Sequence, residues 1–254
     1  MPAANPRHLT LYSDVPVGWF PKLDLRCVHF ARLETLALGQ FIFSNELPFE
    51  WITSHSETLR ELYLDHCSIL YQYGAGRHRD EWLDDEGYPI TDPTPGYSFL
   101  GDCPDDNIVS FGSYSKRWHE VFNHFSSALG RLCTFRFGTS ARWKFDVVNR
   151  YDDASPGMPV VPWEVERDLL NGIFSERYLI WDDFNSEYFT RWADQGEEKV
   201  KHSKYWDERD LERFEEYPEC TADDMSALHE FVKKIGMPNV DAIGVADMKV
   251  KYLY

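Results

Sequence analysis

Five short stretches carry the residue types most able to do chemistry. His78-Arg79-Asp80 opens "HRDEWLDD" in the order a phosphoryl-transfer loop uses, where the aspartate takes a hydroxyl proton and an asparagine five residues on holds magnesium. Asp85 stands at the asparagine's place, and no glycine-rich phosphate loop or Asp-Phe-Gly accompanies it. Metal ligation needs two or more donors brought to one face, and His66-Cys67 and Cys27-x-His29 are isolated pairs without a C-x-x-C or H-E-x-x-H. In the acidic run Asp84-Asp85-Glu86-Gly87 a calcium loop with Gly87 sixth would have Trp82 as first ligand, a residue that cannot serve. "WDDF" offers paired carboxylates beside an aromatic. The expectation is a chain with no catalytic residue, no cofactor and no metal. The competing expectation is a small-molecule enzyme, its carboxylate-lined pocket formed between the early and late parts of the chain by Trp181, Asp182 and Asp183.

The elements that would position such residues announce themselves more clearly. In "LRELYLDHC" Leu62 and Leu64 alternate as a strand, and with Leu59, Cys67 and Ile69 they complete L-x-x-L-x-L-x-x-C-x-I, the pattern of a leucine-rich repeat with a cysteine turn. Cysteine suits that turn because it is small and buries readily. Leu33, Leu36, Leu38, Phe41 and Phe43 fill the same five places 26 residues earlier. Leu9 and Leu11 stand 27 residues before Leu36 and Leu38, with Pro6 at the leading place. Leu132, Phe135 and Phe137 restore the spacing 73 residues after Leu64, and Gly138 matches Gly39.

That gap reads as an acidic insertion at about 71–114. Between Asp80 and Asp106 there are nine acids and no Lys or Arg, and "GYPITDPTPGYSFLGDCP" disfavours regular structure. Around it, helices are predicted over "SNELPFEWITSHSETL", with Ser44 or Asn45 as N-cap and Phe49, Trp51 and Ile52 inward, and over "YSKRWHEVFNHFSSALG". The latter spaces Trp118, Val121, Phe122, Phe125 and Leu129 on one face, with Gly130 as a left-handed stop. Residues 141–254 read as an α-rich region packing on the end of 1–140. It contains a helix in "PWEVERDLLNGI", a buried strand in "RYLIWDDF", a polar helix in "DERDLERFEEY", and a closing helix in "TADDMSALHEFVKKIG" with Thr221 as N-cap, Asp224 in a capping box and Gly236 as stop. The fold class is therefore α/β: a leucine-rich-repeat-like solenoid with short parallel strands and an α-rich C-terminal cap.

With 43% hydrophobic residues and nine Trp the composition is that of a folded chain, and the formal net charge of −17 argues against nucleic acid and anionic membranes as partners. Five widely spaced cysteines and the start "MPAANPRHLTLYSD" point to a cytoplasmic or nuclear protein.

Residues 9–72, from "LTLYSDVPVGWF" through "LRELYLDHCSILYQ", resemble the repeat region of fungal F-box proteins with leucine-rich repeats, and "LCTFRFG", "ERYLIWDDF" and "LHEFVKKIG" extend the likeness. In that family an F-box docks on a Skp-type adaptor of a cullin ubiquitin ligase while the repeats choose the substrate. The few residues before Leu9 leave no room for three F-box helices, so the resemblance implies the recognition half, with the adaptor a partner only if an F-box were present. Alternation then makes Thr10, Tyr12, Thr35, Ala37, Glu61, Tyr63, Asp65, Thr134 and Arg136 the open concave face, expected to bind a basic or mixed-charge polypeptide. The strand at Leu9–Leu11 would be a sheet edge open to self-association.

Overall fold

The computed structural model describes residues 5–19, 22–75, 110–140, 169–182, 187–189 and 217–237. Strands whose apolar residues alternate must stack like on like when they pair in register, since a one-residue slip would turn every leucine outward. The first four matching strands do this: β1 (His8–Val17), β2 (Thr35–Phe43), β3 (Glu61–Asp65) and, by chain order of the whole fold, β6 (Thr134–Gly138) lie parallel side by side. Leu9 pairs with Leu36, Leu36 with Leu62 and Leu62 with Phe135; Leu11, Leu38, Leu64 and Phe137 form the second row. The predicted register is the observed one.

Each strand also enters by the same backbone device. The carbonyl of Arg7 accepts the N–H groups of Glu34 and Thr35, that of Glu34 accepts Arg60 and Glu61, and that of Arg60 accepts Cys133 and Thr134. Leu33, Leu59 and Leu132 are buried at these entries. The exits repeat as well: Gln40 and His66, 26 residues apart, both hold the left-handed conformation, at φ 54° and 52°. That conformation costs a non-glycine residue roughly 1–2 kcal/mol, so its recurrence marks a bend that the path requires. Beyond the bend Cys67 is buried, its thiol donating to the Leu38 carbonyl at 3.4 Å.

After the bends the chain makes a second set of pairs. Ile42 and Phe43 of β2 pair with Ser68 and Ile69 of β4 (Ser68–Ala75), β4 pairs in parallel with β7 (Tyr178–Asp182), and β7 pairs antiparallel with β8 (Glu187–Phe189). With β5 (Ser110–Ser113), antiparallel to β4, the eight strands form one curled, half-barrel sheet. Three helices complete the described fold: α1 (Leu47–Thr53), α2 (Trp118–Ala128) and α3 (Thr221–Lys234). The core lies between helices and sheet, where Phe43 stacks on Phe49, Trp118 packs on Phe137, and Phe135 meets both Phe122 and Phe231.

Several expectations need correction. The ends of the 71–114 stretch are strands, because Gln72, Tyr73, Gly74 and Ala75 pair with Ser113, Gly112, Phe111 and Ser110; residues 76–109 lie outside the described ones, and with them His78-Arg79-Asp80. Of 141–254 the described residues supply β7, at the strand expected in "RYLIWDDF", and the further strand β8, both in the same sheet, together with the expected closing helix α3. Leu169, expected on a helix face, begins a non-helical strap; the rest of "PWEVERD" and most of "DERDLERFEEY" fall outside the described residues. Glu46, with no side-chain cap bond, is the N-cap of α1, and Asn45 instead accepts the Leu47 N–H from one step outside. Gly130 is absent from the left-handed residues, whereas Gly236, at φ 77°, does close α3.

The strap seals the far edge of β6, beside which no other strand lies among the described residues. Phe137 donates its N–H to Asn171 Oδ1 at 2.8 Å, Asn171 Nδ2 donates back to the Phe135 carbonyl, Gly172 N–H reaches the Phe137 carbonyl, and Met237 sulfur accepts the Phe135 N–H. One asparagine amide thus substitutes for a strand partner, and an edge that could template aggregation is satisfied within the chain. At the other end β1 pairs with β2, and among the described residues no strand lies beyond it. No described helix is long and apolar enough to cross a membrane.

Candidate functional site

Opposite the leucine rows, the second face of β1, β2, β3 and β6 carries three rows of its own. His8, Thr35, Glu61 and Thr134 stand in register, then Thr10, Ala37, Tyr63 and Arg136, then Tyr12, Gly39, Asp65 and Gly138. The structure therefore brings all nine predicted site residues onto one face, but it does not leave them all open. Thr35, Ala37 and Asp65 are buried, a correction to the expected exposed surface.

The third row shows why. A Cβ on Gly39 would lie 2.3 Å from the Tyr12 ring, and one on Gly138 would lie 2.3 Å from the Leu170 carbonyl oxygen, so ring and strap both close down on bare backbone. Asp65 between them is enclosed, and its two oxygens accept the Ser140 N–H at 2.8 Å and the Ser140 hydroxyl at 2.7 Å. Its carboxylate is a strut. The half-open part of the face is Glu61, Tyr63, Thr134 and Arg136, with Thr10 beside them. There Glu61 Oε2 accepts the hydroxyls of Thr35 at 3.2 Å and Tyr63 at 3.3 Å.

A second cluster escapes any reading of local spacing. Asp224 of α3 is fully buried and accepts the His119 N–H at 2.9 Å, Arg177 Nε at 2.9 Å and the Tyr178 hydroxyl at 2.9 Å. The Tyr178 oxygen in turn accepts the Trp118 N–H at 2.7 Å. Two of the N–H groups at the start of α2, which helical geometry leaves without intrahelical partners, are thus capped by residues 60 and 105 positions away. Asp224 was expected to cap its own helix, with Thr221 as N-cap; Cys220 holds that place, and Thr221 instead accepts from Arg177 Nη2 at 2.7 Å. The Arg177 guanidinium also lies over the rings of Tyr178 and Tyr217.

His119, Cys220 and Asp224 hold ligand atoms within 4.8 Å of one another, a donor set a metal could use. A cation entering there would meet the Arg177 guanidinium and would have to share carboxylate oxygens already bonded to it and to Tyr178. Burial pushes the Tyr178 and Tyr217 phenols and the Cys220 thiol up from their ordinary values. Burial works against the Arg177 charge, yet Tyr217 and Asp224 outweigh it and hold that guanidinium above its ordinary value. Protonated phenols, a protonated thiol and a fixed ion pair tie α2, β7 and α3 together, and the His119 ring joins them with Nδ1 3.1 Å from Asp224 Oδ1.

The residues expected to line a carboxylate pocket are only partly described. Trp181 is buried in β7 against Trp19, Ile42, Leu70 and Leu179, Asp182 is paired with Gly74 and Glu187 within the sheet, and Asp183 lies outside the described residues. A cavity of about 10 Å³ beneath Leu23–Arg26 and against Trp51 holds at most a single water. No family model, curated protein or solved structure matches the chain.

The loop above that cavity is latched by a histidine. His55 Nδ1 faces the Trp51 carbonyl at 2.9 Å, which can only accept, so Nδ1 carries the proton and Nε2 accepts the Phe30 N–H at 3.2 Å. Trp51 Nε1 donates to the Val28 carbonyl at 2.6 Å, and His29 stacks on the His55 ring. Burial depresses the His55 pKa below 6.5, with the neighbouring His29 adding to it, and burial likewise lowers His66 against the pull of Glu176 and Asp65. A depressed histidine binds protons more readily unfolded than folded. Its stabilisation is therefore present above about 6.5 and lost as the pH falls from there toward the folded value. Urea midpoints should fall with acidification below 6.5, and the Phe30 amide should exchange faster in step. A flat Phe30 exchange profile, corrected for intrinsic rates, would remove His55 as the latch.

Proposed function

We propose that the chain is a non-catalytic protein-binding module, akin to the substrate-recognition repeats of an F-box subunit of a cullin ubiquitin ligase, and that its repeats form a leucine-rich-repeat type of solenoid. The observation that carries this reading is the in-register row Thr10, Ala37, Tyr63 and Arg136 across four parallel strands, which sets a half-buried tyrosine beside a half-buried arginine on a rigid sheet. Tyrosine and arginine are the residues that dominate binding energy when a partner covers them. The repeated entries and bends support the solenoid, because they recur at the spacing of the leucines. A Skp-type adaptor belongs to this reading only where an F-box accompanies the repeats, and such a module would work in the cytoplasm or nucleus.

The partner is a polypeptide of basic or mixed charge, drawn by the net charge of −17 and seated on Tyr63. Once a partner has been captured from cells with the full chain and its affinity measured, Tyr63→Ala should weaken binding by more than about 1 kcal/mol. Glu61→Lys should slow association at low salt, whereas Asp65, with its buried bonds to Ser140, is a residue of the fold. An affinity and on-rate untouched by both substitutions would move the interface off this face.

A further inference from the structure

The reading of the sheet face leaves one charge unaccounted for. Of the described residues on that face, Glu61 is engaged by Thr35 and Tyr63, and Asp65 is engaged by Ser140. Among the described residues the Arg136 side chain has no hydrogen-bond or ion-pair partner. It stands directly across from Tyr63 in the β3–β6 register, and Glu61, which pairs with Thr134, is its diagonal neighbour. The Glu61 carboxylate is nonetheless turned along its own strand to the Tyr63 hydroxyl, so it does not neutralise the guanidinium. In a chain carrying 43 acids against 26 bases, a half-buried arginine beside a glutamate that bonds elsewhere is a specific arrangement.

Resting on the sheet face being the binding surface, we infer that the partner anchors an aspartate or glutamate carboxylate on Arg136 while presenting a donor to Glu61, so that the bound segment is mixed in charge and not simply basic. The reason is desolvation. Any chain that covers Tyr63 also strips water from Arg136, its register neighbour, and a dehydrated guanidinium without an acceptor is strongly unfavourable. Its planar fork is matched by a carboxylate accepting two parallel N–H bonds. A phosphate would bring up to two negative charges toward Glu61 and into the field of the whole chain, so the monoanion fits better. The net charge then acts at long range to draw the basic part of the partner, and Arg136 fixes its register at short range.

A random linear peptide library displayed on phage and selected against the full chain tests this without a known partner. The inference expects enriched peptides that carry Asp or Glu, compete with one another, and lose binding on Tyr63→Ala. Their synthetic forms should bind Arg136→Gln at least tenfold more weakly, with Arg136→Lys recovering part of the loss because it keeps charge but not the fork. Replacing the peptide's acidic residue by its amide should cost wild type the same factor and cost Arg136→Gln nothing. Peptides that depend on Tyr63 but carry no acid, or that ignore Arg136→Gln, overturn the carboxylate anchor and leave the face reading standing. Selected peptides indifferent to both Tyr63 and Arg136, or no selected peptide at all, overturn both. Unfolding midpoints of the three variants, expected to match wild type for these half-exposed positions, guard against a loss of fold.

Discussion

Asp224→Ala should lower the unfolding free energy by about 3–5 kcal/mol, the scale for removing one partner of a buried ion pair. The carboxylate is fully buried, Arg177 is almost equally so, and their contact is 2.9 Å. Removing it strands a guanidinium whose remaining acceptors are the Phe174 carbonyl and Thr221 hydroxyl. It also leaves the His119 N–H of α2 without its cap and the Tyr178 hydroxyl without an acceptor. Asp224→Asn preserves shape and offers one carbonyl oxygen, so it should recover part of the loss at the α2 cap and little of it at Arg177.

The pair's own contribution emerges only from a cycle with Arg177→Met. Arg177→Met alone should be costly because it leaves a buried carboxylate facing only weaker donors, whereas the double variant Arg177→Met with Asp224→Leu should be far milder than the two losses added. Buried pairs replaced together by apolar groups are often close to neutral. Additive losses in urea denaturation would mean that the two side chains act independently and that the cluster is not one unit.

The leucine rows were legible because their signal is local: Leu36 and Leu38 alternate within three residues, and a fixed interval carries the pattern to Leu62 and Leu64. Phe135 and Phe137 kept the pattern across a 73-residue gap because the spacing within the strand survived. Alternation also put Asp65 on the correct face. It could not show that Tyr12 and the strap would close over that row, since those contacts depend on Gly39 and Gly138 meeting parts of the chain defined only by the fold. Asp224 is the sharper case. Its position three residues past Thr221 looks like a capping-box residue, and its true partners His119, Arg177 and Tyr178 lie 105, 47 and 46 residues away. No periodicity encodes such pairs; at best, a buried charge is signalled by an acid falling on the apolar face of α3 with Leu228 and Phe231. The seal at Asn171 was hidden for a similar reason, because Leu169 and Ile173 on either side of it space as a helix face until a strand edge is placed beside them.

The second large effect should come from Phe137→Ala, at about 3–5 kcal/mol for a buried aromatic truncated in place. Phe137 is fully buried where three layers meet: its ring centroid lies 4.5 Å from Trp118 and 5.1 Å from Phe122 on α2, and 5.3 Å from Phe174 on the strap, while its backbone pairs with Leu64. Helix, strap and sheet cannot all collapse into the space together, because the strap is pinned to the Phe137 backbone through Asn171 and Gly172. Phe137→Leu should cost clearly less, since it refills most of the volume. The placement also makes a prediction about locality: the Gly172 amide, donated to the Phe137 carbonyl, should gain exchange more than the amides of β2, because losing the ring frees Phe174 and loosens the strap first. Leu11→Ala, in a row of the same register but only partly buried at the β1 end, is the matched control and should cost less. Equal losses at Leu11 and Phe137, with uniform changes in exchange, would show that the β6 side is not the better-packed end of the sheet.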